Sequence, residues 1–278
     1  MKFGTLNVYA GIYKDKSIAH LQKVNLDVFA SQEMHADDIE DFKKGLEMPH
    51  CLYVPGIRVV GENKWGFREG EIGVAIMSKT PLTGSQVDYY SKVSEDVPIM
   101  SHTEPNYCNR ALVSAVVQTE DGPMRVSTTH FTWTPDGQPT DLQREHVDKL
   151  MKAVDRQNVD ILGADFNAPH GAEIMTHISS RMDDHMPNGV ESTIDPELHR
   201  VRGLKLVVDN VFTRKGLAST FLQIKEGMSD HKALIAKFLF NSSRRDQGAG
   251  LPSVPSLRPV VTPADLSQAP AKGVQVVP

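Results

Sequence analysis

Short apolar runs that end in polar residues constrain the fold of this chain, and the clearest lies within Val159–Pro169. There, an apolar run of strand length between Asp160 and Gly163 predicts a buried strand. Because alternate residues of a strand face the same side, Asp165 and Asn167 are expected to project together at its C-terminal end. A carboxylate and a carboxamide in that position can orient a water molecule and hold an oxygen-rich substrate. Considered alone, the pair is more typical of an ordinary turn after a strand.

The composition changes near the C-terminus. The chain has 278 residues, of which 40% are hydrophobic and 23% are charged, enough for one large domain or two small ones. From Asn241 onwards the sequence is rich in Pro, Ser, Gly and Ala and lacks aromatic residues. We therefore predict one folded domain over residues 1–240 and a disordered tail over residues 241–278.

The charge of the folded part is negative. The whole chain carries a net charge of −5, and because the tail carries +2, residues 1–240 carry −7. An acidic domain argues against a broad basic surface for non-specific binding of nucleic acid, although it leaves a local basic groove open.

The cysteines and the N-terminal segment bear on the cellular compartment. Cys51 and Cys108 are the two cysteines, and they form neither a disulfide framework nor a C-x-x-C metal motif. The first residues have the pattern of a strand rather than of a signal peptide, and no apolar run is long enough to span a bilayer. We expect a cytoplasmic protein and a monomer.

Periodicity predicts many strands and a few long helices. Helices are predicted at residues 15–24, with Ser17 as the cap, and at residues 37–46, 141–157 and 171–182. Besides the strand described above, strands are predicted at residues 1–9, 26–33, 52–60, 71–78, 110–119, 124–130, 205–212, 219–225 and 233–240. Residues 80–109 and 183–203 are predicted to be irregular.

Polar residues follow the apolar part of six of these strands or lie in the turns beside them. They are Asn7, Glu33, His130, Asp165 with Asn167, Asp209, and Asp230 with His231. One such residue means little. A whole series of carboxylates, amides and imidazoles predicts a shared site at one edge of packed sheets.

Taken together, these segments resemble the endonuclease/exonuclease/phosphatase superfamily of metal-dependent phosphoesterases, the class of DNase I. The matching segments follow the family's order and span residues 3–238: Leu6-Asn7-Val8, Ser31-Gln32-Glu33, Gly73–Ser78, Thr129-His130, Gly163–Asn167, Val208–Phe212 and Ser229-Asp230-His231. The resemblance implies an α/β (α+β) fold, a four-layered sandwich of two mainly antiparallel β-sheets packed face to face and flanked by helices. Residues 1–240 would be the catalytic domain.

The chain departs from the family pattern at two places near the site. Ala164 intervenes between Gly163 and Asp165, where the family has Gly-Asp directly. Apolar residues Leu206-Val207-Val208 precede Asp209, where the family often has Arg or a similar polar residue. These departures bear on substrate recognition more than on the chemistry.

The resemblance also implies a metal and an attacking water. A Mg²⁺ ion, with Mn²⁺ as an alternative, would be held by Glu33, Asn7 and Asp230, since hard carboxylate and amide oxygens suit these ions. Asp165 would orient or deprotonate the water, and Asn167 would hold that water or a phosphate oxygen.

The remaining residues would act on the phosphate and on the substrate. His231, oriented and kept charged by Asp209, would donate to a phosphate oxygen. His130 would be a second donor, although it is equally typical of a core histidine that hydrogen-bonds the backbone. The expected substrate-binding residues are Arg110, Tyr107 and Trp133.

Three functions stay open at this point. We expect a phosphodiesterase or nuclease, and nucleic acid is one candidate substrate, because a basic and aromatic groove could bind its backbone. Loop residues suited to such a groove are Lys64, Trp65, Arg68, Tyr107, Trp133, Arg200, Arg202 and Lys205. The alternatives are a phosphatase acting on a small or lipid phosphoester, and a catalytically silent binding module of the same fold.

Overall fold

The computed structural model describes residues 1–240, and the predicted tail over residues 241–278 lies outside the described residues. Within residues 1–240, two six-stranded β-sheets pack face to face and α-helices cover their outer sides. This four-layered sandwich confirms the predicted fold. None of the helices in this range has the length and apolar character needed to cross a membrane.

Twelve strands and four α-helices form the described part of the chain. The strands are β1 (Lys2–Asn7), β2 (Val28–His35), β3 (His50–Val59), β4 (Gly70–Ser78), β5 (Thr83–Ser91), β6 (Arg110–Thr119), β7 (Gly122–Thr128), β8 (Ile161–Asp165), β9 (Met182–Asp184), β10 (Asp209–Arg214), β11 (Ala218–Lys225) and β12 (Ala233–Phe240). The helices are α1 (Lys14–Val24), α2 (Ile39–Leu46), α3 (Asp141–Gln157) and α4 (Glu173–Arg181). Short 3₁₀ turns lie at Tyr9–Gly11, Ala36–Asp38 and Pro135–Gly137.

Each sheet contains one parallel pair of neighbouring strands. In the first sheet the order is β11-β12-β1-β2-β4-β3, and β1 is parallel to β2. In the second sheet the order is β5-β6-β7-β8-β10-β9, and β7 is parallel to β8. Parallel neighbours need a crossover connection, and the crossovers contain α1 and α3 respectively. The two sheets therefore each contribute one strand–helix–strand unit.

The main core lies between the sheets. Alternate residues of the strands point inwards there, and they include the fully buried side chains of Phe3, Val113, Val126, Ile161 and Leu234. A second layer of apolar side chains lies under the helices. Buried side chains hold these helices against the sheets, among them Leu21 of α1, Phe42 of α2, and Leu150 and Met151 of α3.

Gly163 allows the two sheets to approach each other closely. A Cβ atom at this position would overlap the ring of Phe3 and would lie 3.1 Å from Cβ of Thr5, both on β1. A polar link lies nearby, where Nε2 of Gln32 donates to the hydroxyl groups of Thr5 at 3.1 Å and Thr128 at 2.7 Å. The glycine of the Gly163–Asn167 segment is thus required by packing between sheets.

Most of the predicted elements are confirmed, whereas the predicted Ser17 cap and the two predicted irregular regions are wrong. The helix predicted at residues 15–24 begins at Lys14, and the hydroxyl of Ser17 donates to the carbonyl of Met228 instead of capping the helix. The region 80–109 contains β5, an edge strand that pairs only with β6 and is half exposed, so its polar composition hides it. The region 183–203 begins with the end of the short edge strand β9.

Candidate active site

The carboxyl ends of the two parallel strand pairs meet at one edge of the sandwich. Asn7 ends β1, Glu33 lies in the last part of β2, and Asp165 ends β8. His130 follows β7 and forms a bridge with Asp165. Because one pair comes from each sheet, polar side chains from both sheets converge at this edge, as the sequence pattern predicted.

Asn7 links the carboxylates of the two sheets. Its amide nitrogen donates to Oε1 of Glu33 and to Oδ2 of Asp165, at 3.1 Å in each case. Its amide oxygen accepts the backbone N–H of Tyr9 at 3.0 Å. With both ends of the carboxamide engaged, Asn7 orients the two carboxylates; its predicted role as a metal ligand stays a prediction.

Glu33 lies in a β-bulge rather than at a strand end, which corrects the prediction. The pairing of β2 with β4 shifts between Ser31 and Met34, and Glu33 has the left-handed φ of 52°. A bulge re-aims a side chain, and here it directs the Glu33 carboxylate into the site. Its Oε2 atom is buried and has no hydrogen-bond partner in residues 1–240. An unpaired buried carboxylate oxygen is costly, and a bound cation would satisfy it.

Asp165 is the centre of the group and is almost completely buried. Its Oδ1 accepts the backbone N–H of Asn167 at 2.8 Å, and its Oδ2 lies 3.4 Å from Nε2 of His130 and 3.9 Å from Nε2 of His231. Burial alone would raise the pKa of Asp165, but His231, His130 and the Asn167 N–H hold that pKa below its ordinary value. Asp165 is therefore ionised near neutral pH.

Asn167 does not continue the strand, contrary to the alternation predicted from the sequence. The strand ends at Asp165, and Asn167 has a left-handed φ of 49°. Its side-chain nitrogen donates to the carbonyl of Phe131 at 2.9 Å, while its backbone N–H holds Asp165. These contacts place Asn167 as a support for the Asp165 carboxylate, and its predicted contact with water or phosphate stays a prediction.

His231 and Asp209 form a buried pair. Nδ1 of His231 lies 2.9 Å and 3.1 Å from the two oxygens of Asp209. Asp209 begins β10 directly opposite Asp165, rather than lying within a strand from residue 205 as predicted. Burial alone would lower the pKa of His231, but the carboxylates of Asp209, Asp165 and Asp230 raise it well above the ordinary value. Burial raises the pKa of Asp209 against the opposing effect of His231.

Asp230 is buried beside the other carboxylates. The hydroxyl of Ser229 donates to its Oδ1 at 3.2 Å. Burial and the charge of Glu33 raise the pKa of Asp230 to about 7, while His231 opposes the shift. The positive charge near Asp230 is therefore too small to offset its burial and the charge of Glu33.

The donors present fit a hard divalent cation. Glu33 offers an unpaired buried oxygen, and Asp230 is a carboxyl whose ionisation would be favoured by a nearby cation. Ligand atoms of Asp165, Asp209 and His231 also lie within 4.8 Å of one another. Because Asp209 and His231 already hydrogen-bond each other, we favour the Glu33 side of the site for a metal.

Part of the segment 183–203, which the sequence predicts to be irregular, supports these residues. The hydroxyl of Thr193 accepts the backbone N–H groups of Val208 and Asp209 at 3.0 Å and 3.1 Å. The backbone N–H of Asp195 donates to the carbonyl of Asp230 at 2.8 Å. Neither residue belongs to a strand or a motif, so the sequence contains no local signal for them.

The site opens into a cleft of about 960 Å³. Of the predicted substrate-binding residues, Arg110 and Trp133 line this cleft, and Tyr107 does not. Arg110 is 7% exposed, and its Nη1 donates to the carbonyls of His130 and Phe131 at 2.7 Å each. Its guanidinium thus fixes the segment that carries His130.

Other walls of the cleft come from loops and the first 3₁₀ turn. Their residues include Tyr9, Lys64, Trp65, Phe67, His102, His199 and Arg200. Tyr9 was not predicted; it has a left-handed φ of 49°, and burial and the charge of Asp230 raise its pKa. Three of the predicted groove residues lie outside the cleft lining. Arg68 pairs with Asp38, Arg202 with Glu197, and Lys205 with Glu191.

The sequence matches the profile of one protein family, described as the endonuclease/exonuclease/phosphatase family, over residues 4–231. No curated protein matches the chain significantly.

Solved structures share the fold at low sequence identity. The human nocturnin catalytic domain with bound sulfate is 13% identical, with a TM-score of 0.64, covering 87% of this chain and 93% of that one. A mannosyl-6-phosphatase from Bacteroides thetaiotaomicron is 15% identical, with a TM-score of 0.56, covering 86% and 100%. Beta toxin from Staphylococcus aureus is 18% identical, with a TM-score of 0.60, covering 85% and 99%.

Proposed function

The chain belongs to the endonuclease/exonuclease/phosphatase family, and on that basis we propose that it is a divalent-metal-dependent phosphoester hydrolase that cleaves by in-line attack of an activated water. The observation that carries the proposal is the convergence on Asp165. A residue from the other sheet, Asn7, and two histidines surround its Oδ2 atom within 3.9 Å.

Asp165 would act on the attacking water. Its lowered pKa keeps it ionised, and its Oδ1 is held by the Asn167 N–H, so that Oδ2 is the oxygen beside Asn7, His130 and His231. An ionised carboxylate can align a water and accept its proton as the P–O bond forms.

His231 and His130 would stabilise charge on the phosphate. Asp209 holds Nδ1 of His231, so Nε2 is the nitrogen left to donate to a non-bridging oxygen. The 3.9 Å between Nε2 and Asp165 exceeds a hydrogen bond, so this donor is not committed to the carboxylate. His130, which is 3.4 Å from Asp165, supplies a second donor.

Glu33 and Asp230 would hold the metal, with Asn7 orienting the Glu33 carboxylate. A bound Mg²⁺ or Mn²⁺ ion would neutralise charge on the phosphate and on the leaving oxygen. The unpaired Oε2 of Glu33 supports this assignment.

A phosphodiester is the substrate class that suits the site best, and this favours a phosphodiesterase or nuclease. The site contains the carboxylates of Glu33, Asp165, Asp209 and Asp230, and a singly charged diester is repelled less by them than a doubly charged monoester. A phosphatase acting on a small or lipid phosphoester stays the alternative, since a mannosyl-6-phosphatase shares the fold.

A catalytically silent binding module is less well supported. A left-handed Glu33 with a buried, unpaired oxygen costs free energy that a scaffold without chemistry has no reason to keep.

The test is a panel assay of purified protein with Mg²⁺ or Mn²⁺ against EDTA. The panel contains bis-p-nitrophenyl phosphate, single- and double-stranded DNA, abasic DNA, RNA and a phosphoinositide. Native protein should cleave at least one substrate only with metal, and His231→Ala should lower the rate by about 10²- to 10³-fold. His20→Ala, on the exposed face of α1, is the matched control and should keep the native rate. Equal rates in native protein and His231→Ala would contradict the mechanism.

A further inference from the structure

The ring of Trp133 lies free on the wall of the cleft. Trp133 lines the cleft and is 41% exposed, and no aromatic ring or cation within residues 1–240 packs on it. The other tryptophan differs, because the ring of Trp65 lies 6.2 Å from that of His102 at 13° and 4.6 Å from Nζ of Lys64. Trp133 therefore offers an aromatic face to whatever enters the cleft.

The backbone of Trp133 is held on both sides by one side chain. Oδ1 of Asn106 accepts the N–H of Trp133 at 3.1 Å, and Nδ2 of Asn106 donates to its carbonyl at 2.9 Å. The same Oδ1 accepts Nη2 of Arg110 at 3.1 Å. These hydrogen bonds fix the backbone from which the indole ring of Trp133 extends.

The same guanidinium also fixes the catalytic end of the cleft. Nη1 of Arg110 donates to the carbonyls of His130 and Phe131 at 2.7 Å each. Arg110 thus connects the segment of His130, beside Asp165, to Trp133 through Asn106 by hydrogen bonds.

The charges of the cleft favour a small substrate over a polymer. Lys64 and Arg200 line the cleft, are exposed, and form no ion pair with a carboxylate of residues 1–240, whereas the guanidinium of Arg110 is committed to carbonyl groups and to Asn106. A long nucleic acid needs cations along several phosphates. Two exposed cations without a carboxylate partner in residues 1–240, a domain charge of −7 and a cleft of about 960 Å³ suit a molecule of small-ligand size.

We propose that Trp133 is the specificity-determining residue for a small phosphodiester that carries a flat ring, such as a nucleoside, and that the ring stacks on the indole. The proposal rests on the phosphodiester hydrolysis proposed above. Stacking on an aromatic side chain accepts any base, because every base has a π-face.

The test uses three phosphodiesters that share p-nitrophenolate as the leaving group. Their second alcohols are thymidine (through its 5′ oxygen), hexanol and ethanol, so the scissile bond is constant and only the group on the wall changes. With Mg²⁺ present, native protein should show a kcat/KM for the thymidine ester about tenfold above that for the ethyl ester. The hexyl ester should resemble the ethyl ester.

Two variants and a control assign the preference to the ring. Trp133→Ala should bring the thymidine-to-ethyl ratio close to one, and Trp133→Phe should retain most of it because a smaller ring still stacks. Phe221→Ala, which removes an exposed aromatic side chain from β11 outside the cleft, should keep the native ratio.

The outcomes separate this inference from the proposed function. Three results would each overturn the stacking role alone. The native protein could hydrolyse the three esters at equal rates, or the hexyl ester could match the thymidine ester. The thymidine-to-ethyl ratio could also stay at its native value in Trp133→Ala. Failure of the native protein to hydrolyse any of the esters with metal would overturn the phosphodiesterase proposal and this inference with it.

Discussion

The amide nitrogen of Asn7 donates to Oδ2 of Asp165 at 3.1 Å, across 158 positions of sequence and from one sheet to the other. The same nitrogen also donates to Glu33 at 3.1 Å. One carboxamide therefore sets the spacing between the carboxylate assigned to the metal and the carboxylate assigned to the water. The site therefore forms only when the two sheets pack so that Asn7 reaches Asp165.

Replacing Asn7 with Ala should impair turnover more than folding. The variant leaves Glu33 and Asp165 without the donor between them, so the carboxylates repel each other and lose their orientation. We expect kcat to fall by about 10- to 100-fold, as for other partners that orient metal ligands. Steady-state hydrolysis of bis-p-nitrophenyl phosphate measures this, and a kcat within twofold of native, on the order of experimental scatter, would contradict it.

Gly163→Ala should destabilise the fold itself. The added methyl group would overlap the ring of Phe3, which is fully buried and has no space to move. Overpacking of this kind costs about 1–3 kcal/mol. Urea unfolding followed by circular dichroism measures it. Gly163 does not have a left-handed φ, so its cost reports overlap, whereas Gly216→Ala, at a left-handed φ of 66° with open space around it, reports backbone strain without overlap. A native midpoint for Gly163→Ala would show that the sheets tolerate separation.

Glu33→Gln should weaken the binding of metal. The substitution keeps the size of the side chain but removes the negative charge of the carboxylate, whose Oε2 atom is unpaired. We expect the Mg²⁺ concentration for half-maximal activity to rise by more than about tenfold, since even outer partners of metal ligands are worth that much. Isothermal titration with Mg²⁺ gives a second readout that does not depend on turnover. Glu120→Gln, on an exposed hairpin, should bind as native does.

Asp209→Asn should shift the pH dependence of hydrolysis. The pKa of His231 is raised in the folded protein, so its charged form persists at neutral pH and is lost as the pH rises through that pKa. Without the Asp209 charge this pKa falls, and the alkaline limb of kcat/KM should move to lower pH. Rates measured between about pH 5 and 10 report the limb. An alkaline limb at its native position would show that His231 does not need to be charged.

The same pKa also predicts a stability change of known sign. Because the folded pKa of His231 is raised, the stability it contributes is fully present below its unfolded pKa of about 6.5 and is lost as the pH rises through the folded value. Asp209→Asn should weaken this dependence, because Asp165 and Asp230 still raise the pKa of His231.

Much of the architecture could be predicted from the sequence because strand and helix periods are local properties. The helix at Asp141–Gln157 follows a strong amphipathic pattern, and Thr140 caps it by accepting the N–H of Gln143 at 3.3 Å. The edge strand Thr83–Ser91 could not be predicted in this way, because a strand with one neighbour and a solvated face carries no continuous apolar run.

The members of the site could be predicted, but their geometry could not. Strand-end polarity identifies Glu33 and Asp165, yet the bulge at Glu33 depends on a pairing shift with β4, which is a long-range property. Thr193 holds Asp209 through two backbone N–H groups, and nothing in its local sequence marks it. Such supporting contacts are set by tertiary packing.

The most direct test of the central claim is the rate of bis-p-nitrophenyl phosphate hydrolysis by native protein and Asp165→Asn, with Mg²⁺ and with EDTA. Asn keeps the shape of Asp but cannot accept the proton of the water. Asp15→Asn, exposed on α1, is the matched control. We expect EDTA to abolish the native rate, Asp165→Asn to lose about 10²-fold or more with metal, and the control to match native. Unchanged metal-dependent hydrolysis in Asp165→Asn would show that the chemistry does not occur at this carboxylate.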